Sequence, residues 1–501
     1  MSALFGIWGD NDEIAFHTMM EGLRHRGPDA CGSVSGDNFR IGHNRLAIMD
    51  PESGDRPLYN EDETLAVMSD ARIFNYPFLF EGLSKRHSFR THNDSEVIPH
   101  LYEDMGPKAV EKLDGMFALC ITDGNFLFLA RDPLGIKPLY YGKDERGVFY
   151  FSSEIQGFPH QVGEIHEFPP GTWYHSEYGF FAFYEIPEVK PDADCNEDTL
   201  VSEIRKTLGK SVKKHLLSDV PVGVFLSGGL DSSIIAALAA KHLPSLHSFT
   251  TGTPGSPDLE AAEEMSKHLG TIHHVYELTA EDIADHLPII IARLESFDQD
   301  LVRTSVPCYF TSMLASQHVK VILTGEGADE LFAGYTYYKN IDEAETLARE
   351  LRISLAGLHD VGLQRIDRMT LSHSLEGRSP FLDREMINLG QRISPEFKLK
   401  GNPLVEKWIL RKAFENELPE SITWRKKEQF DEGSGVIGLL KGIAQKAFPG
   451  ETWKKFRDER PLVSLRSAEE CLYYSIFERV FEQPEAVADM VARWSERTLS
   501  V

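Results

Sequence analysis

Ser227-Gly228-Gly229-Leu230-Asp231-Ser232-Ser233 is the stretch on which the reading of this chain turns. It follows Val220-Pro221-Val222-Gly223-Val224-Phe225-Leu226, an apolar run that predicts a buried parallel strand. It precedes Ile234-Ile235-Ala236-Ala237-Leu238-Ala239-Ala240, which lacks glycine and proline and predicts a helix. Strand, small-residue loop and helix together surround a phosphate with backbone N–H groups and a helix N-terminus. The glycines allow close approach, the serines add hydroxyl donors, and Asp231 suits a Mg²⁺ that bridges to phosphate.

The loop has no lysine and is too short for a G-x-x-x-x-G-K-[ST] P-loop, which argues against a Walker nucleotide hydrolase. Taken alone it could be a plain serine–glycine turn before a helix. It resembles, however, the pyrophosphate loop of the N-type ATP pyrophosphatases, in the version carried by glutamine-dependent asparagine synthetases. That resemblance implies cleavage of ATP between its α and β phosphates, giving an acyl-adenylate and pyrophosphate.

A chain of 501 residues exceeds one ordinary core, so two or more domains are expected. Hydrophobic content of 42% and mixed charge indicate a soluble globular protein. No apolar run approaches the roughly 18 residues of a membrane span, and no basic segment precedes an apolar N-terminal stretch, so a cytoplasmic location is expected. Cys31, Cys120, Cys195, Cys308 and Cys471 are scattered, which points to neither a disulfide framework nor a zinc site. A formal net charge of -26 would repel phosphate backbones and argues against nucleic-acid binding.

Residues 1–185 carry short β-like segments such as Phe39-Arg40-Ile41-Gly42-His43 and Phe126-Leu127-Phe128-Leu129-Ala130, punctuated by Gly-Pro, Asp-Pro and Pro-Gly pairs. Residues 186–200 read as a polar, proline-bearing linker. In residues 201–501 helices alternate with buried strands (candidates 220–226, 246–251 and 319–324), as in a doubly wound α/β sheet, and the last third looks largely helical.

Thr324-Gly325-Glu326-Gly327-Ala328-Asp329-Glu330 directly follows the strand candidate Val319-Lys320-Val321-Ile322-Leu323. It sets small residues and carboxylates at the carboxyl end of a strand, where open α/β sheets bind ligands. Asp231 and Asp329 then make a candidate Mg²⁺ pair on two loops. Glu295-Ser296-Phe297-Asp298 with Val302-Arg303-Thr304-Ser305-Val306-Pro307, the block Ser374-Leu375-Glu376-Gly377-Arg378-Ser379-Pro380-Phe381-Leu382-Asp383, and Trp424-Arg425-Lys426-Lys427-Glu428-Gln429-Phe430 are each similar to asparagine synthetase segments.

By that resemblance Lys427 neutralises the transition state and Arg303 holds a substrate carboxylate. Glu326 orients or deprotonates the attacking amine, Glu376 joins the catalytic set, and Leu226 and Thr251 line the adenine pocket. Ser227, Gly228, Gly229, Ser232, Ser233, Thr324 and Gly325 complete the nucleotide site. One departure concerns the acid. Where the family carries two threonines, this chain has Asp300 and Leu301, and a carboxylate there repels aspartate unless it faces a neighbouring cation. The substitution favours an acid with a neutral or cationic tail.

Residues 1–185 resemble the family's glutaminase domain through Leu4-Phe5-Gly6-Ile7, Arg24-His25-Arg26-Gly27-Pro28-Asp29, His43-Asn44-Arg45-Leu46-Ala47-Ile48-Met49-Asp50 and the run from Arg131-Asp132-Pro133 to Tyr141-Gly142. This implies an N-terminal-nucleophile (Ntn) two-sheet α-β-β-α sandwich. The family's nucleophilic cysteine is Ser2 here. A serine with an α-amine as base can still attack, so position 2 alone decides nothing. The family's Asn-Gly-Glu oxyanion triplet is Asp70-Ala71-Arg72. An ionised Asp70 donates nothing to an oxyanion, and losing one donor costs about 10²–10³-fold. Arg45 and Asp94 still match the residues that grip glutamine.

The resulting expectation is an AMP-forming amide ligase that uses ATP and Mg²⁺. It would join a small carboxylic acid to ammonia or an amine without glutaminase activity, with no nucleic-acid or membrane partner and a possible homodimer. Four alternatives stand beside it: an ammonia-dependent asparagine synthetase, an intramolecular cyclase like the β-lactam synthetases, a Ser2-dependent amidotransferase, and a non-enzymatic regulator.

Overall fold

The computed structural model describes residues 2–53, 57–189, 196–428, 430–481 and 484–493. Met1, Gln429, Cys195 and residues 190–195 of the expected linker lie outside them. Among the described residues, twelve strands form two antiparallel sheets in the N-terminal half. They are β1 (Ser2–Trp8), β2 (Ala30–Gly36), β3 (Phe39–Arg45), β4 (Leu58–Tyr59), β5 (Ala66–Ile73), β6 (Gly115–Thr122), β7 (Leu127–Arg131), β8 (Tyr140–Asp144), β9 (Phe149–Ser152), β10 (Val162–Glu167), β11 (Thr172–His175) and β12 (Gly179–Ala182). The first sheet runs β10-β8-β9-β1-β3-β2 and the second β12-β11-β7-β6-β5-β4.

The period-2 pattern of the strands explains the layers. On β1, Leu4 faces the other sheet and packs with Ile41, Met68, Cys120 and Leu129, whereas Ala3, Phe5 and Ile7 turn outward onto the helix Glu13–Gly22 through Ala15, Phe16 and Met19. On β6, Ala118 and Cys120 face inward, while Phe117, Leu119 and Ile121 meet Leu83, Val97 and Leu101 from the helices Tyr76–Leu83 and Val97–Met105. Helix, sheet, sheet, helix is the sandwich the sequence predicts.

In the C-terminal half β13 (Val222–Phe225), β14 (His247–Gly252), β15 (Ile272–Glu277), β16 (Val321–Leu323) and β17 (Glu376–Arg378) form a parallel sheet in the order β15-β14-β13-β16-β17. From β13 the chain winds outward through β14 and β15, then returns to place β16 on the other side of β13. The order reverses between β13 and β16, and the loops leaving these two strands diverge around a crevice. Both motif loops begin there. Among the described residues, no helix is long and apolar enough to cross a membrane.

The two halves meet through a small apolar seam, where Leu46, Ile48, Phe74 and Met116 pack with Val321 and Leu371, and through a buried charge network. Arg26, fully buried, reaches Asp70 at 3.1 Å, Glu154 at 2.8 Å and Asp367 at 2.6 Å. Asp367 also receives Lys137 at 3.3 Å, and Arg368 pairs with Glu154 at 2.8 Å and Glu295 at 2.9 Å. Burial raises the Glu295 carboxyl to about 7, whereas Glu154 is held well below its usual range because His25, Arg368 and Arg26 outweigh its burial. At the rim His359 Nδ1 lies 2.8 Å from Glu167 and 2.9 Å from Asp360. Burial alone would lower its pKa, but the bonds to Asp360 and Glu167 hold it up at about 9.

A folded-state pKa above the unfolded value near 6.5 means the bridge stabilises fully below pH 6.5 and is lost as pH rises through about 9. His359→Gln should therefore lower unfolding free energy at pH 6 by up to about 3 kcal/mol. Its deficit against wild type should shrink toward pH 9.5, as read by urea denaturation across that range.

Candidate functional site

Between the carboxyl ends of β13 and β16 lies a cavity of about 220 Å³. Leu226, Phe225, Phe249 and Phe430 give it an apolar wall, and Ser227, Gly229, Asp231, Ser232, Thr251, Thr324, Gly325, Glu326, Asp329 and Lys427 line the rest. The first loop is closed by its own serines: Ser227 Oγ lies 3.1 Å from Ser232 Oγ, and Ser232 Oγ donates to the Gly229 carbonyl at 3.2 Å. Gly228 has φ +67° and abuts Ala261, so a Cβ there would collide with the neighbouring helix backbone. Gly229 caps the helix Leu230–Ala240 without a side-chain acceptor, which leaves the first helical N–H groups facing the cavity to receive an anion.

The two acids converge as the sequence predicts, around a cation it does not reveal. Lys407 Nζ lies 2.5 Å from both Asp231 Oδ2 and Asp329 Oδ1, and Lys427 Nζ lies 2.8 Å from Asp329 Oδ2. Gly334 makes room for Lys407, since a Cβ there would meet Asp329 Oδ1 and the lysine stem. Asp329 is pushed up by burial, but Lys407 and Lys427 dominate and hold it far below the ordinary carboxylate range. Lys427 is correspondingly raised by Asp329 and Asp231 against its burial. Asp231 Oδ1 is buried and has no hydrogen-bond partner among the described residues. A free carboxylate oxygen beside a second acid is a donor set that fits Mg²⁺.

Deeper in, Glu326 takes Arg365 Nη2 at 2.5 Å, and burial beside Asp329 raises Glu330 to about 7. Arg411 and Arg425 add positive charge, and Arg425 bonds the Ser227 carbonyl at 3.3 Å and Asp258 at 2.8 Å. Burial holds Asp258 up at about 6 despite that pair. The surroundings suit a polyphosphate and a carboxylate together.

Other expected site residues lie elsewhere. Gly228 shapes the loop and Ser233 is buried beneath it; neither lines the cavity. Arg303 also stands outside the lining, where Glu469 from the helix Ala468–Val480 grips it in a bidentate pair at 2.8 and 2.6 Å. Asp300 faces that same guanidinium at 3.8 Å, so the cation, not the cavity, answers its charge. Glu376 sits on β17, fully buried between Arg378 and Arg72, the latter at 3.2 Å, and acts at the junction of the halves rather than at the cavity. Lys407, Arg365, Arg411 and Asp258 also line the cavity, from stretches with no local motif that would mark them in the sequence.

At the N-terminal strand the Ser2 N–H donates to Asp70 Oδ1 at 3.0 Å, and Asp70 Oδ2 meets Arg26 at 3.1 Å. Asp70 thus accepts from both neighbours and offers no donor of its own. Ala71 is buried on β5 between Asp70 and Arg72. Arg72 lies 3.0 Å from Asp94, whose other oxygen receives the Ile73 N–H at 2.7 Å. Arg45 bonds the carbonyls of Met49 and Asp50 at 3.1 and 2.6 Å.

The Asparagine synthase family matches residues 203–356 and 339–500, and the Glutamine amidotransferase domain family matches residues 1–171. The chain is 39% identical over 484 residues to asparagine synthetase B [glutamine-hydrolyzing] of Escherichia coli, covering 93% of this chain and 87% of that protein. It is 40% identical over 497 residues to asparagine synthetase [glutamine-hydrolyzing] 3 of Arabidopsis thaliana, covering 93% and 84%. Among solved structures, a glutamine phosphoribosylpyrophosphate amidotransferase from B. subtilis aligns over 48% of this chain and 63% of that one, at 22% identity and a TM-score of 0.31.

Replacing Lys407 by Met leaves Asp231 and Asp329 facing each other without their shared cation. Lys407→Met should lower unfolding free energy by about 3–5 kcal/mol, and millimolar Mg²⁺ should restore part of the loss, as read by thermal unfolding with and without the ion.

Proposed function

This chain belongs to the asparagine synthetase family of ATP-dependent amide ligases, and we propose that it joins a carboxylic acid to ammonia or an amine that is not drawn from glutamine. The observation that carries the first part is the Asp231–Lys407–Asp329–Lys427 cluster under the free helix N-terminus. ATP would lie with its phosphates along Ser227–Ser233 and its base against Leu226 and Thr251. Asp231 and Asp329 would hold Mg²⁺, which neutralises phosphate charge when bound.

The acid's carboxylate oxygen attacks the α-phosphorus and forms a P–O bond, and the bond to the β-phosphate oxygen breaks to release pyrophosphate. Lys427 faces the charge that develops there. The amine nitrogen then attacks the acyl carbon, AMP departs with the carboxylate oxygen, and Glu326 is the base within reach for the amine's proton. Because Arg303 is already committed to Glu469, the Arg365–Glu326 pair and Lys426 are the better candidates to receive the acid.

The second part rests on the N-terminal residues. Asp70 offers no donor to an oxyanion, and Asp94 is taken up by Arg72 rather than open to an incoming α-amine. Both features support a sandwich, spanning residues 1–185, that serves as scaffold for a ligase spanning 201–501; a cytoplasmic location for the enzyme is part of the same proposal.

Lys427→Ala should cut pyrophosphate release by about 10²–10³-fold while the protein stays folded, since Lys407 still joins the two acids; near wild-type release would overturn the assignment. Ser2→Ala should leave turnover with ammonium unchanged. In a screen of carboxylic acids, ammonium should support product and glutamine should not. Asparagine made from aspartate would identify the acid, and glutamate released from glutamine by wild type would refute the loss of glutaminase chemistry.

A further inference from the structure

The N-terminal half carries a four-residue constellation that the ligase reaction does not use. Glu61, on the turn after β4, His87, past the end of the helix Tyr76–Leu83, and His100 and Glu103, both on the helix Val97–Met105, bring one ligand atom each to within 4.8 Å of all the others. Glu61 Oε1 lies 3.0 Å from His87 Nδ1, Glu61 Oε2 lies 3.0 Å from His100 Nδ1, and Glu103 Oε2 lies 3.8 Å from His87 Nδ1. A tetrahedral ion with ligand bonds of about 2.0–2.2 Å has ligand-to-ligand edges of about 3.3–3.6 Å; the measured separations, with Glu61 turning one oxygen to each histidine, lie on either side of that range.

His87 Nδ1 hydrogen-bonds Glu61 at 3.0 Å as in an ordinary His–Glu pair, but His100 stands apart. His100 is fully buried, and neither of its ring nitrogens makes a hydrogen bond among the described residues although Nδ1 stands beside a carboxylate. A nitrogen lone pair next to a carboxylate oxygen without a hydrogen bond between them is how two ligands of one cation sit. The outer contacts are those a bound ion needs: Asp104 Oδ1 lies 3.3 Å from the other nitrogen of His87, and Asn60 Nδ2 donates to Glu103 Oε2 at 3.3 Å. Phe89 packs on the His100 ring at 4.5 Å and closes the back, while the two half-exposed glutamates leave an entry from solvent.

We propose that Glu61, His87, His100 and Glu103 form a structural site for a divalent transition ion of the zinc class, tying the helix Val97–Met105 to the turn after β4. Two imidazoles with two carboxylates suit Zn²⁺ and its neighbours and disfavour Mg²⁺ or Ca²⁺. The site lies in the amidotransferase-like sandwich and is separate from the Asp231–Asp329 pair.

The test uses the full chain, stripped with a chelator and dialysed against Zn²⁺ in excess Mg²⁺, beside the Glu61→Gln/Glu103→Gln double variant. Both substituted side chains are partly exposed, and matching circular dichroism of the two apo proteins checks that the variant folds. Because His247, His274 and His318 also converge, the reading is the difference between the two proteins. Wild type should hold one more Zn²⁺ per chain, and Zn²⁺ should raise its melting temperature but not the variant's. Asp104→Asn should weaken that binding about 10–100-fold. Equal zinc content and equal melting shifts in wild type and double variant, or no zinc retained by wild type, would overturn the proposal.

Discussion

Two carboxylates that would repel each other are held within reach of one ammonium group at the point where the parallel sheet changes direction. Asp231 arrives in the first turn of the helix Leu230–Ala240 after β13 and Asp329 in the first turn of the short helix Ala328–Phe332 after β16, and Lys407, from a segment beyond β17, sits between them. The convergence depends on strand order. If β16 lay beyond β15 instead of beside β13, the loops would emerge on opposite sides of a neighbouring strand and no shared crevice would form. Everything else at the cavity is arranged about this pair, including the free helix N-terminus, the second lysine and the small residues that let the loops touch.

The fold was legible in the sequence where a pattern is local. Consecutive small and acidic residues after an apolar run make residues 227–233 and 324–330 stand out by composition, and the apolar segments at 39–43 and 126–130 fall on β3 and β7. What the sequence hid is what only tertiary contact defines. Lys407 and Arg365 come from segments with no motif and matter because of what they face. Arg303 and Glu376 match family text, but their charges are answered by Glu469 and Arg72, 166 and 304 positions away. β17 escaped because its three residues, Glu376-Gly377-Arg378, are polar and stay buried through ion pairs rather than apolar packing.

Charge also explains how the halves are joined. Arg26, Arg72, Lys137 and Arg368 cross or flank the junction against Asp70, Asp94, Glu154, Glu295, Asp367 and Glu376, nearly all of them shielded from water. Such a network contributes less net stability than apolar surface of the same size, because each ion loses its hydration. It does fix geometry, since every partner must be present for any one to be tolerated. Asp70 and Arg72, two of the residues that stand where the family carries Asn-Gly-Glu, are themselves members of it.

The helix Gly362–Leu371 gives that junction a mechanical meaning. Arg365 and Ile366 look into the cavity, and the next two residues, Asp367 and Arg368, are gripped by the amidotransferase-like sandwich. Cutting the chain before the parallel sheet would strand Asp367, Arg368, Glu295 and Glu376 as naked ions on a surface never meant for water, and would unmoor the rod that carries Arg365. A sandwich silent toward glutamine would on this account still be indispensable, as the clamp that keeps its neighbour's catalytic wall in place.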